Sequence, residues 1–259
     1  MKPSVILLAL TTAAVHAGEP ATVAPTPQIT PAHESSGWEF TTALYAPFMG
    51  LEGDIGVAGL APSHVDVPFD DILDNLDAGL SGAFEAKKDR WSITVDAIWL
   101  KLSAAANPIA SSYVRFSQDQ VMASLSVGYE IYGSESTSLD LVVGAALNSI
   151  DVDLDLFTPN LPVTTRSASG SQEWIDPFVG LRFTQRLGDR WSIFANGTYG
   201  GFDVSSDEYW QALAGIGYRL TDSTSIALAY RIISVDYHQG GFVYDAETSG
   251  PNLGLIIRF

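Results

Sequence analysis

Asp236-Tyr237-His238 sets a carboxylate and an imidazole two residues apart, so in an extended segment both project from one face. Those are two of the groups a hydrolytic site uses. Asp151, Asp153 and Asp155 alternate with Val152 and Leu154 in the same manner. Three carboxylates along one strand end could hold a divalent cation through oxygen, but solvated edge charge is the plainer explanation. A larger set of charges is segregated along the chain. Glu39, Asp77, Glu85, Asp96, Glu130 and Asp140 fall in the first five of ten expected strands; Arg182, Arg186, Arg219, Arg231 and Arg258 fall in the later five, with Lys87 and Asp176 as exceptions. The chain has no cysteine, which excludes thiolate metal sites and disulfides. No cofactor or metal is expected.

The elements that must carry these groups are strands. From Trp38 onward, apolar residues recur at every second position over segments of about ten residues, the length of a membrane-crossing strand. Leu253, Leu255, Ile257 and Phe259 oppose Gly254, Ile256 and Arg258; Leu139, Leu141, Val143 and Ala145 oppose Asp140, Val142 and Gly144. This pattern predicts strands near 37–48, 77–87, 91–102, 117–132, 138–150, 173–187, 190–203, 207–220, 224–237 and 250–259. The expected fold is all-β: a closed antiparallel transmembrane barrel of ten strands, with eight or twelve as alternatives. The soluble alternative is a β-sandwich or lipocalin-like barrel with its apolar face turned inward. The second face here is rich in Gly, Ala and Ser with widely spaced charges, which suits a crowded barrel interior. Trp38, Trp91, Tyr129, Trp191 and Tyr218 sit near strand ends on the apolar face and read as an interfacial girdle.

Connections alternate in length. Residues 88–90, 133–137, 188–190 and 221–223 are tight, whereas 49–76, 103–116, 151–172 and 238–249 are expected as long outer loops; the short 204–206 breaks the trend. In the first of these, Phe69, Ile72, Leu73 and Leu76 have helical spacing, which predicts a short amphipathic helix that caps or enters the barrel mouth. The DRWS tetrapeptide at 89–92 recurs at 189–192, a sign of repeated hairpins within one domain.

Lys2 followed by apolar Val5 to Ala14 and by Val15-His16-Ala17 reads as a secretory signal over 1–17, too short for a permanent span. Residues 18–36, with Pro20, Pro25, Pro27 and Pro31, read as a periplasmic linker, and 37–259 as the barrel. Loss of Lys2 with the leader leaves 12 Lys+Arg (13 − 1) against 30 Asp+Glu, a net charge of −18. Such acidity argues against nucleic acid as a partner.

The sparse, charge-bearing faces then enclose the lumen, with an acidic wall opposite a basic one. An isolated charge there would cost several kcal/mol, so guanidiniums are expected to fork onto carboxylates across the lumen. The ion-pair candidates are Glu39, Glu85, Asp96, Glu130, Arg182, Arg186, Arg219, Arg231 and Arg258. A ten-stranded barrel is only slightly wider than an eight-stranded one, whose side chains nearly fill it, so a plugged lumen is favoured over a narrow solute path.

The blocks FDDILDNLD (69–77), FEAKKDRWSITVDAIWLKLS (84–103), WIDPFVGLRFTQRLGDRWSI (174–193), GGFDVSSDEYWQALAGIGYRL (200–220) and YRIISVDYHQGGFVYDAETSGPNLGLIIRF (230–259) resemble a group of poorly characterised proteobacterial outer-membrane β-barrel proteins, porin-like or OmpA-like in barrel type. The resemblance covers most of 37–259. It implies integral residence in the outer membrane and supplies no substrate. Where relatives carry a GGFGVGSD-like stretch, this chain has Asp203 and Ser205. The resemblance also implies that Leu255, Ile257 and Phe259 form the terminal signal read by the barrel-assembly machinery. Omptin proteases pair an aspartate and a histidine at the spacing of Asp236 and His238, opposite an aspartate pair that Asp151 and Asp153 could imitate; nothing else in the sequence matches them. No serine context suggests a lipid-A deacylase.

A non-enzymatic, structural or envelope-interaction role is therefore expected, with acidic loops at the cell surface and with outer-membrane lipid and lipopolysaccharide as partners. The alternative is a small porin or channel for ions or small solutes, and the third reading a surface hydrolase.

Overall fold

The computed structural model describes residues 37–56, 62–106, 113–157 and 165–259. The expected leader and linker lie outside these. Twelve strands run in chain order: β1 (Trp38–Pro47), β2 (Gly50–Gly56), β3 (Ser63–Val67), β4 (Leu76–Lys88), β5 (Trp91–Ala106), β6 (Tyr113–Gly133), β7 (Thr137–Phe157), β8 (Thr165–Leu187), β9 (Trp191–Gly201), β10 (Glu208–Arg219), β11 (Thr224–Gln239) and β12 (Phe242–Arg258). Among the described residues there is one helix, α1 (Phe69–Asp74), between β3 and β4. Ten strands, β1 and β4 to β12, pair antiparallel with their neighbours, and β12 closes on β1. Closure removes the open edges that lipid would leave unsatisfied. The hairpin β2–β3 is outside this ring and is added along the outer part of β12.

Within the membrane-facing half, alternation works as the composition requires. Leu141 and Val143 on β7, and Leu253 and Leu255 on β12, are exposed outward, while Asp140, Val142 and Asn252 are buried inward. Trp91 packs on Tyr129 at 4.7 Å and Trp191 on Tyr218 at 4.9 Å, both beside the tight turns. Eight residues up β5 from Trp91, Trp99 donates its indole N–H to Asp119 at 2.8 Å. That bond marks the outer limit of the apolar band, since a spanning strand needs ~9–11 residues and indoles settle at the interface.

Beyond this level the strands do not stop. β6, β7 and β8 reach total lengths of 21, 21 and 23 residues. Side-chain parity is kept but polarity is exchanged. On β7 the outward positions change from Leu141 and Val143 to Asp151 and Asp153, and the inward ones from Asp140 to Ile150 and Val152. Outside lipid the wall must face water, so the barrel becomes apolar within and polar without.

The loops expected at 103–116, 151–172 and 238–249 are thus corrected: their described residues are strand, apart from a turn at 240–241. The phase exchange hides them from a reading that seeks apolar residues outward. The last of the three is a two-residue hairpin at Gly240-Gly241, with φ of 63° and 81°. That pair of left-handed positions fits the right-handed strand twist, and glycine adopts it without strain. The expected loop at 49–76 contains β2, β3 and α1. The chain passes from β1 to β2 through a kink at Phe48-Met49, where Phe48 N–H donates to Pro251 C=O at 2.8 Å. Gly250 permits the crossing, because a Cβ there would meet Phe48 O at 2.2 Å.

Candidate functional site

The segregated charges meet in the inner half of the lumen, carried by inward positions on six strands. Arg182 on β8 reaches Asp140 on the adjacent β7 and Glu85 on β4 across the lumen. Its Nε donates to Asp140 Oδ2 at 3.0 Å and its Nη2 to the same oxygen at 2.8 Å. Nη1 donates to Glu85 Oε2 and, at 3.2 Å, to Thr94 Oγ1; Nη2 also donates to Ser92 Oγ at 2.8 Å. All of the guanidinium's N–H groups are therefore used. Gly128 makes the room: a Cβ there would lie 2.5 Å from Ser92 Oγ and 3.1 Å from Arg182 Nη2. Beside this cluster Lys87 Nζ pairs with Glu130 Oε2 at 2.7 Å.

Toward the outer side, Arg231 on β11 pairs with Asp96 on β5 at 3.0 Å. It also donates to the Tyr45 hydroxyl at 2.9 Å, and that hydroxyl donates to Asp96 Oδ2 at 3.0 Å. The guanidinium lies over the Tyr45 ring at 5.2 Å, and Arg231 is only 6% exposed. Two cross-lumen bridges, one above the other, thus join the acidic and basic walls.

Four candidates are not brought in. Glu39, Arg186 and Arg258 are exposed and Arg219 half-buried, all near the inner rim, and among the described residues none forms an ion pair. Water solvates them there, so the cost that forces pairing deeper inside is absent. Asp140, which shares Arg182 with Glu85, completes the set. Asp176 is fully buried on β8 and accepts from Ser206 N–H at 2.8 Å and Ser206 Oγ at 2.7 Å. It fastens the short 202–207 connection onto the barrel, a role its sequence context did not signal. The outer half holds Trp174 stacked on Tyr237 at 4.3 Å, with Phe242 and Tyr244 against the pair.

The groups with hydrolytic or metal-binding potential face outward. His238 Nδ1 lies 2.8 Å from Asp236 Oδ1 and 3.4 Å from Asp207 Oδ2. These three place a ligand atom each within 4.8 Å of one another, at an exposed edge. Burial raises the Asp236 carboxyl above its ordinary range, against the pull of His238. Asp151 and Asp153 also face outward, on β7, with β8, β9 and β10 intervening before β11. Outward side chains on such separated strands cannot oppose one another across the mouth, so the four residues do not form an omptin-like arrangement. Asp155 accepts from Ser167 Oγ at 2.6 Å, and Asp151 and Asp153 each stand between serines or like charges on neighbouring strands. The acidic run is a solvated wall.

The chain matches no protein-family model and, in sequence, no curated protein. Among solved structures it is similar to the outer-membrane protease OmpT from Escherichia coli, over 87% of this chain and 98% of that one, at 12% identity and a TM-score of 0.58. The attachment invasion locus protein Ail of Yersinia pestis matches 86% of this chain and 99% of its own at 12% identity and a TM-score of 0.36. Neisserial surface protein A matches 86% and 98% at 12% identity and a TM-score of 0.33. At 12% identity the OmpT likeness speaks to fold and not to activity. Sequence pattern, strand closure and this likeness together make the protein a β-barrel of the bacterial outer-membrane type.

Proposed function

We propose that the protein is an integral outer-membrane barrel, exported by its leader, whose lumen is plugged and whose role is structural or in envelope interaction, without catalysis. The observation that carries this reading is the pair of cross-lumen bridges, Arg182–Glu85 and Arg231–Asp96. Each joins strands on opposite sides of the ring, so a solute would have to break a charge-assisted bond to pass. Lipid and lipopolysaccharide are the partners the outer surface suits, and the assembly machinery is the expected partner during insertion.

Planar-bilayer recording of the purified protein tests the plug. Wild-type protein is expected to give no steady single-channel openings, and the double variant Arg182→Ala/Arg231→Ala to give them. Steady openings from the wild type would replace this reading with that of a small channel.

A further inference from the structure

Above the ion pairs, the outer half of the lumen encloses a cavity of about 670 Å³. This volume falls within the range of small-molecule sites, ~300–1,000 Å³. Met49, Leu100, Met122, Ile150, Phe242 and the α1 residue Ile72 represent its wall. Asp71 is the only charged residue on the described lining, and no basic residue lines it. Its floor is closed by Gln120, whose Nε2 donates to the Tyr244 hydroxyl at 3.5 Å, and by the Arg231 bridge beneath. Protein interiors are normally packed without such space. The apolar side of α1 faces the chamber yet has no buried residue, and Leu73 there is 53% exposed.

The wall of the chamber has a seam. Among the described residues β3 pairs only with β2, and β5 beyond Leu102 pairs only with β6. Between these two edges the wall is completed by α1, tied by Ser103 N–H to Asn75 C=O at 2.9 Å. The seam begins above the Leu76–Leu102 rung, three rungs outward of the lipid-facing pair Leu80 and Trp99, which are exposed neighbours in register. On this side the apolar chamber is therefore bounded by a helix and not by a paired strand, about 10 Å outward of the level at which lipid chains end.

The geometry points to a binding site for one unbranched hydrocarbon chain, admitted past α1 through the β3–β5 seam, with any charged head left outside. The chain could be the tail of a membrane lipid or of a free fatty acid; the chemistry read by the wall is the same. The site builds on the closed floor proposed above, but photolabelling reads the chamber and conductance reads the floor, so the two can fail separately.

The test uses the full mature chain in lipid nanodiscs. Two probes carry a diazirine in the middle of a C16 chain: free palmitic acid and a phosphatidylcholine. After irradiation, labelled peptides are mapped by mass spectrometry. Label is expected on inward Met49, Met122 or Ile150, and to fall at least about tenfold in Ile150→Trp, which fills the chamber. Val152→Trp serves if Ile150→Trp loses heat-modifiable gel migration. Chamber labelling by either probe supports the site, and the probe that labels assigns the source. Label confined to outward residues such as Leu228 and Leu255, or undiminished by the filling variants, would overturn the proposal.

Discussion

At the scale of single residues, Arg182 decides more than any other group in the lumen. Its guanidinium satisfies Glu85 and Asp140 together, so removing it strands one half-buried and one buried carboxylate. Breaking a buried pair costs about 3–5 kcal/mol, far more than replacing the whole group with apolar side chains. Arg182→Met is expected to lose about that much, measured by urea unfolding in lipid vesicles. Combining it with Glu85→Gln and Asp140→Asn is expected to recover most of the loss, because no charge is then left unpaired. If the single variant costs no more than the triple one, the bridge is not what holds these charges. The charges at the inner rim teach the same lesson from the other side: Glu39 and Arg258 have the right sign and parity but stand in water. Sequence parity places a charge on the lumen face, whereas depth decides whether it must pair.

Elements show where the sequence is legible and where it misleads. Leu253, Leu255 and Ile257 announce β12's lower half as lipid-facing strand, and the structure places them so. The upper half, Phe242 to Ser249, alternates just as regularly, but with Phe242, Tyr244 and Ala246 inward and Asp245 and Glu247 outward. A rule that assigns apolar residues to lipid ends the strand at that exchange, although the chain continues without a break in parity. The missed signal was Gly240-Gly241, which marks a hairpin independently of polarity. Both glycines have positive φ, and a Cβ in a left-handed position costs about 1–2 kcal/mol. Gly241→Ala is expected to lower stability by about that amount, again by urea titration, and Gly188→Ala at an inner-side turn serves as a comparison. An unchanged midpoint for Gly241→Ala would mean that the outer end of the β11–β12 hairpin is not ordered enough to report strain. The aspartate–histidine pair at 236 and 238 was legible as a shared face, but not as an outward one, for the same reason of phase.

The whole molecule depends on closing a ring between its first and last strands. Phe259 N–H donates to Phe40 C=O and Phe40 N–H to Phe259 C=O, both at 3.0 Å, and the two rings stack at 5.9 Å. Two roles for Phe259 are separable, because the hydrogen bonds belong to the backbone and survive truncation of the side chain. Structurally, Phe259→Ala loses only the ring contact, about 0.5–1.5 kcal/mol. If Leu255, Ile257 and Phe259 also form the signal read during insertion, loss of the aromatic ring should matter far more in cells than in the test tube. The expected result is a several-fold fall in folded protein in the outer membrane, scored by heat-modifiable migration, with near-normal refolding into detergent micelles. Phe40→Ala removes the same ring contact and leaves the terminal residue intact, so it should refold like Phe259→Ala and assemble like the wild type. Equal losses of assembly in both variants would assign the effect to the closing seam and remove the terminal signal from the account.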